Sequence, residues 1–173
     1  MAERVRVLLP EEEVNKRISE IGEQISKDYA GKQVHLVCVL KGGAFFMCEL
    51  AKRITCDVSL DFMSVSSYGG GTNSSGVVKI VKDLDEPLEG KDVVIVEDII
   101  DSGLTMQELL RILEAKHPAE IHIASLLVKP GNLKVDLDIP YRCFDIANEF
   151  IVGYGLDYDH EGRNLRHIYQ VVE

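Results

Sequence analysis

Positive charge is scarce in this chain. Lys and Arg number 19 against 29 Asp and Glu, for a net charge of -10. A surface that holds nucleic acid by bulk charge needs the opposite balance, so the total argues against that class and leaves room only for a local basic pocket. Long apolar runs are also missing. No stretch approaches the roughly 20 residues of a membrane span, and the N-terminal MAERVRVLLPEEE has no signal-peptide pattern. The expected location is cytoplasmic. Cysteine pairing is absent: Cys38, Cys48, Cys56 and Cys143 form no CxxC. That spacing speaks against a zinc site or disulfides and for reduced, mostly buried thiols. The five histidines form no ligand-spaced cluster, and His35 and His122 fall inside strand-like stretches where a structural role is expected. A GxxxxGK[ST] phosphate loop is missing as well; the glycine-rich GGGTNSSG contains no lysine. There is no internal repeat and no linker. The 173 residues, 46% apolar and 28% charged, suit a single domain spanning residues 1–173.

The segments that are present alternate between strand and helix. Leu9-Pro10-Glu11-Glu12-Glu13 reads as a helix start, because proline suits the first turn and acids complement the helix dipole. Val14, Ile18, Ile21 and Ile25 continue it as one apolar stripe. VHLVCVL at 34–40 reads as a buried strand, followed by Lys41-Gly42-Gly43 and a helix to about Arg53. DVSLDFM at 57–63 alternates polar and apolar residues, as a half-exposed strand does. SVSSYGGGTNSSG at 64–76 holds four glycines and five serines and reads as a loop. Strands are expected at 77–81, at 93–96 before an acidic turn, and at 121–128. A helix with Met106, Leu109, Leu110 and Leu113 on one face ends before Pro118. The tail is richer in short strands. This order predicts an α/β fold, a mostly parallel twisted sheet with helices on both faces. Ligands of such sheets bind beyond the carboxyl ends of the strands. Lys41-Gly42-Gly43, Glu97 to Thr105, and Lys129 all fall there.

The most informative stretch is VVIVEDIIDSGLTM at 93–106. Ser102-Gly103-Leu104-Thr105 can aim backbone N–H groups and two hydroxyls at one phosphate at a helix N-terminus, and glycine permits close approach. Carboxylates beside that phosphate repel it unless they have partners of their own. Ribose hydroxyls donate to them, and Mg²⁺ supplies positive charge. A ribose 5-phosphate ligand with a metal satisfies the segment, with Glu97 and Asp98 on the sugar and Asp101 left for chemistry. The rival, a magnesium-holding strand end of a nucleotide triphosphatase, lacks its phosphate loop. A solvated acidic turn does not account for Ser-Gly-x-Thr running into a helix.

With VLKGG at 39–43, SSYGG at 66–70, LLVKP at 126–130 and NEFIVGYGLDYDHEGRNL at 148–165, this stretch resembles the type I phosphoribosyltransferases, and among them the purine branch, the hypoxanthine-guanine phosphoribosyltransferase family. The resemblance covers nearly the whole chain. It implies transfer of ribose 5-phosphate from phosphoribosyl pyrophosphate to a 6-oxopurine with Mg²⁺, on a core sheet carrying a small hood formed by the chain ends. Residue by residue, it places Glu97 and Asp98 on the ribose hydroxyls and metal, and Ser102, Gly103, Leu104 and Thr105 around the 5′-phosphate. Asp101 is placed at the purine N7. Lys129 meets the 6-oxo group, Phe150 stacks on the base, and the Ile151 backbone meets the purine edge. Asp157 lies by the purine end at a second metal, while Lys41, Gly42 and Arg163 hold pyrophosphate, with a cis peptide before Lys41. Ser67 and Tyr68 belong to a lid loop. A homodimer or homotetramer is implied. Two positions depart from the pattern: Gly162 stands before Arg163 where an aromatic is usual, which would leave the arginine less firmly held, and Ala147 stands where proline is common. A regulator that binds RNA would need a basic face, an adenine-specific transferase would not need the donor Lys129, and a plain nucleotide-binding module would not need Asp101 or the 64–76 segment.

Overall fold

The structure, a computed structural model, describes residues 4–67 and 77–172. Its elements in chain order are β1 (Val5–Leu9), α1 (Glu11–Asp28), β2 (Gln33–Leu40), α2 (Ala44–Ala51), β3 (Asp57–Ser67), β4 (Val78–Lys82), β5 (Asp92–Ile100), α3 (Leu104–Glu114), β6 (Glu120–Val128), a 3-10 turn (Pro130–Asn132), β7 (Tyr141–Asp145), β8 (Ile151–Val152) and β9 (Ile168–Val171). Among the described residues no helix is long and apolar enough to cross a membrane.

Six strands form one sheet in the order β4-β3-β2-β5-β6-β7. All neighbours run parallel except β3 and β4. Period-two alternation in the central strands fills both faces. Leu36, Cys38, Val94 and Val96 pack under α1 and α2 with Ile18, Ile21, Phe46 and Leu50. Val37, Ile95 and Ile123 pack under α3 with Met106, Leu109 and Leu113. Each such side chain contributes about 1.5–3 kcal/mol by leaving water. Pro10, with φ -68, starts α1, and Glu11, Glu12 and Glu13 fill its first turn. Val14, Ile18, Ile21 and Ile25 are its buried stripe, as their spacing implied.

The connection from β2 through α2 leads to one side of the sheet, and that from β5 through α3 leads to the other. The order therefore reverses between β2 and β5, which are paired through Cys38 and Val96. A crevice opens at the carboxyl ends of that strand pair, the usual place for a ligand in such sheets. Above it stands the hood, a three-stranded sheet in the order β1-β9-β8, built from segments near both ends. His167 anchors it, its Nδ1 accepting the Glu11 N–H at 2.8 Å.

Four expectations need correction. Residues 5–9 form a strand before Pro10, one that local pattern did not mark because its partner is β9. The segment 64–67, read as loop, continues β3 and pairs with β4; residues 68–76 lie outside the described part. The alternation in β3 is not polar-out throughout: Leu60 is exposed and Asp61 is buried, accepting the backbone N–H groups of Phe62, Asp85 and Glu86. All four cysteines are free, but only Cys38 and Cys143 are buried.

Candidate active site

Glu97 and Asp98 belong to β5 itself, which runs through Ile100, and not to a turn after it. The Asp98 N–H donates to Glu97 Oε1 at 3.0 Å, and the Ile99 N–H donates to Asp98 Oδ1 at 2.8 Å. Burial, reinforced by the negative charge of Asp98, pushes the Glu97 carboxyl well above the usual carboxylate range. With a second carboxyl beside it, the spot favours incoming positive charge or hydroxyl donors.

The chain then turns through Ser102 and Gly103 into α3. Gly103 adopts φ +81, and a Cβ there would meet side-chain atoms of Val135 and Leu137 at 2.9 and 3.0 Å. No other residue suits both constraints. Ser102 Oγ accepts the Leu104 N–H at 3.3 Å. The first turn of α3 carries no acid, whereas that of α1 carries three. An anion can therefore approach this helix start.

These residues line a cavity of about 1040 Å³ that runs from Glu97 to Met106 along the chain and also touches Gly131, Asn132, Leu133, Lys134 and Asn148. Lys129 reaches its edge from the end of β6. Only 8% exposed, it sends Nζ to Asp101 Oδ2 at 3.2 Å and to Asn148 Oδ1 at 3.4 Å. Asn132 Nδ2 donates to Asp101 Oδ1 and to Asn148 Oδ1, both at 2.9 Å.

On the β2 side of the crevice the Leu40-Lys41 peptide is cis, in the position the resemblance implied. Gly42 lies directly against β5: a Cβ on it would overlap the Asp98 carboxylate. Gly155, at φ +99, packs in turn on the Gly42 carbonyl. Arg163 Nη1 donates to the Gly155 carbonyl at 2.7 Å, and Nη2 pairs with Asp157 at 3.0 Å. Gly162, before this arginine, adopts φ +85.

Phe150, 56% exposed, is a surface ring with Tyr158 edge-on at 5.3 Å, not a core side chain. Ile151 is buried in β8, opposite Gln170. Ser67 ends β3 opposite Val78, while Tyr68 lies outside the described residues. The structure thus brings together Glu97, Asp98, Asp101, the turn 102–105 and Lys129, with Lys41 and Gly42 facing them. Phe150, Asp157 and Arg163 stand on the hood side and do not line the large cavity. Among the described residues, no three carboxylate, histidine or cysteine side chains converge as a metal cage, so Asp157 does not join Glu97 and Asp98. Asn132, Lys134 and Asn148 were missed. Asn148 opens the NEFIVGYG segment and could have been singled out there; Asn132 and Lys134 follow a Pro-Gly pair and look like ordinary turn residues.

The family model described as a phosphoribosyl transferase domain matches residues 7–159. A hypoxanthine-guanine phosphoribosyltransferase of Streptococcus thermophilus is 49% identical over 94% of this chain and 91% of that protein. The chain belongs to the hypoxanthine-guanine phosphoribosyltransferase family. It is therefore an enzyme, a phosphoribosyltransferase of purine salvage. A Mycobacterium bovis relative of the same description is 47% identical over 94% of this chain and 83% of its own length. The fold agrees. A crystal structure of a hypoxanthine-guanine phosphoribosyltransferase from Bacillus anthracis superposes with TM-score 0.93 at 42% identity, covering 96% of this chain and 98% of that one. A Staphylococcus aureus hypoxanthine phosphoribosyltransferase gives TM-score 0.93 at 45% identity, over 96% and 90%.

Proposed function

We propose that this phosphoribosyltransferase moves ribose 5-phosphate from phosphoribosyl pyrophosphate to hypoxanthine, guanine or both, giving IMP or GMP and pyrophosphate. The observation that carries the reading is one arrangement in the crevice: an Asp101–Lys129 pair at 3.2 Å, beside the adjacent carboxyls of Glu97 and Asp98 and a glycine turn that opens a helix. Ser102, Gly103, Leu104 and Thr105 receive the 5′-phosphate. Glu97 and Asp98 accept from the ribose hydroxyls. Lys129 can only donate, so it suits a carbonyl at purine position 6 and disfavours an amino group. Asp101, adjacent to it, takes or holds the N7 proton. Phe150 offers a ring face to the base, worth roughly 1–3 kcal/mol in stacking. Ile151 presents its backbone to the purine edge. Lys41, Gly42 and Arg163 cradle the leaving pyrophosphate, next to Asp157.

The adjacent carboxyls of Glu97 and Asp98, with Glu97 held above its ordinary range by burial and by its neighbour, fit a divalent cation whose remaining ligands come from the substrate. Bound there, or at Asp157, Mg²⁺ would neutralise charge on pyrophosphate. The chain's own work is to orient the anomeric carbon between Asp101 and the pyrophosphate loop as it gains oxocarbenium character. We assign residues 1–173 to one domain, a cytoplasmic location, and a homodimer or homotetramer, which sedimentation can check. The activity itself is tested by pyrophosphate release with hypoxanthine, guanine, xanthine and adenine in turn, with phosphoribosyl pyrophosphate and Mg²⁺. Release with hypoxanthine or guanine and none with adenine is expected. Release with adenine alone would overturn the assignment of Lys129.

A further inference from the structure

We propose that Asn132 and Asn148 form an amide clip that fixes the spacing between Asp101 and Lys129, so that both asparagines act as positioning residues for the purine. The inference rests on the purine-transfer reading above.

The hydrogen-bond directions are determined by chemistry. Asp101 offers only acceptors and Lys129 only donors. Asn132 Nδ2 spends its two hydrogens on Asp101 Oδ1 and Asn148 Oδ1, each at 2.9 Å. Reversing that amide would set its oxygen against two acceptors. Asn148 Oδ1 accepts from Asn132 and, at 3.4 Å, from Lys129 Nζ. Reversing this second amide would set its NH₂ against two donors. The ring Asp101–Lys129–Asn148–Asn132 therefore closes in one sense only, with every bond running from donor to acceptor.

This ring separates two jobs. Lys129 holds Asp101 Oδ2 at 3.2 Å, and a purine carbonyl will compete for the same ammonium. Asn132 holds the other oxygen, Oδ1, and does not depend on Lys129. It keeps the Asp101 carboxylate in place while the lysine turns to the base. Asn148, at the start of the segment leading to Phe150, ties the lysine to the hood side. The turn that delivers Asn132 is itself short and tied back, because the Asn132 N–H donates to the Lys129 carbonyl at 3.0 Å. The distance between the two purine-reading groups is thus set by a pair of neutral amides.

The test uses substitutions of matched shape. Asn132→Leu keeps about the same size and removes both donors without adding charge. It should lower kcat/KM for hypoxanthine by about tenfold, the loss expected for one hydrogen bond to a charged group at a partly exposed site. The KM for phosphoribosyl pyrophosphate should stay within about twofold. Asn148→Leu should lower purine kcat/KM similarly, whereas Asn148→Asp, still an acceptor, should recover most of it. A purely structural role would move both substrates together, or lower Tm with kinetics intact; either result overturns the clip. Turnover is not the only readout. Side-chain amide NMR of the wild-type chain should show the Asn132 NH₂ resonances shifting in both Asp101→Asn and Asn148→Leu. Unmoved resonances refute the clip whatever the activity. Shifted resonances in a chain that releases no pyrophosphate with any purine would uphold the clip and sink the transfer reading instead.

Discussion

Gly42→Ala adds one methyl group at the tightest point of the crevice. The new Cβ would overlap the Asp98 carboxylate, so one of the two must yield. Asp98 is not free to swing. It accepts the Ile99 N–H at 2.8 Å. Rotating it away forfeits a hydrogen bond to a charged group, about 1.5–3 kcal/mol. Moving the loop instead is an overpacking cost of about 1–3 kcal/mol. The cheaper route sets the outcome, so about 1.5–2.5 kcal/mol should be lost from phosphoribosyl pyrophosphate binding, or roughly 10–70-fold in its KM. For a domain of this size the same figure lowers Tm by roughly 3–10 °C if it appears in stability. Steady-state kinetics with phosphoribosyl pyrophosphate as the varied substrate, alongside calorimetry, separates the two. A double-mutant cycle isolates the cause: in an Asp98→Ala background the space is free, and Gly42→Ala should then cost almost nothing in Tm. A Gly42→Ala chain with an unchanged KM and Tm would refute the contact, and an equal Tm loss in both backgrounds would refute Asp98 as its partner.

Asp101→Asn should leave phosphoribosyl pyrophosphate binding intact and slow turnover by roughly 10²–10⁴, the span for lost acid–base help; a near-normal rate removes Asp101 from the chemistry. Glu97 has a folded-state pKa raised by burial, so its favourable effect on folding is complete below the ordinary carboxylate value and is lost as pH rises through the raised one. Glu97→Gln should therefore match the parent Tm near pH 4 and exceed it increasingly toward pH 8, while weakening phosphoribosyl pyrophosphate; a Tm gap independent of pH contradicts the raised value. Asp157→Asn should increase the magnesium needed for half-maximal rate, with excess metal restoring part of the loss. Arg163→Lys should weaken pyrophosphate about tenfold in the reverse reaction with no rescue by magnesium, since the lysine cannot hold Gly155, Asp157 and a phosphate in one plane. Wild-type dependence on both ligands in the two variants would make this tail a structural turn only.

The core was legible because its signals are local. The stripe Val14-Ile18-Ile21-Ile25 needs only helical spacing, and the turn at Gly103 needs only a glycine between a strand and a helix. The acid pair was found, but it was placed in a turn because charged residues rarely continue a buried strand. Both are only half-buried here, because β5 opens onto the cavity at its carboxyl end, which pattern does not show. Alternation points Asp61 to solvent, whereas its carboxylate accepts the backbone N–H groups of Asp85 and Glu86, which local pattern does not connect to it. Asn132 carries no motif. Its importance arises only when Lys129, Asp101 and Asn148 meet in three dimensions. Strand β1 was invisible for the same reason, its partner lying at the other end of the chain.

That last pairing has a consequence for how the molecule is made. Arg6 and Gln170, joined by a hydrogen bond of 2.8 Å across β1 and β9, are 164 residues apart in sequence. On a ribosome adding roughly 5–20 residues per second, the first strand waits on the order of ten to thirty seconds for its partner. Late in that interval the six-stranded sheet has all its strands, the last ending at Asp145, while β1 still has an open edge with Val7 on it. Phe150, Asp157 and Arg163 are still to come. The nascent chain therefore carries Lys41, Asp101 and Lys129 on a complete core sheet before the residues of the hood that face them have been made.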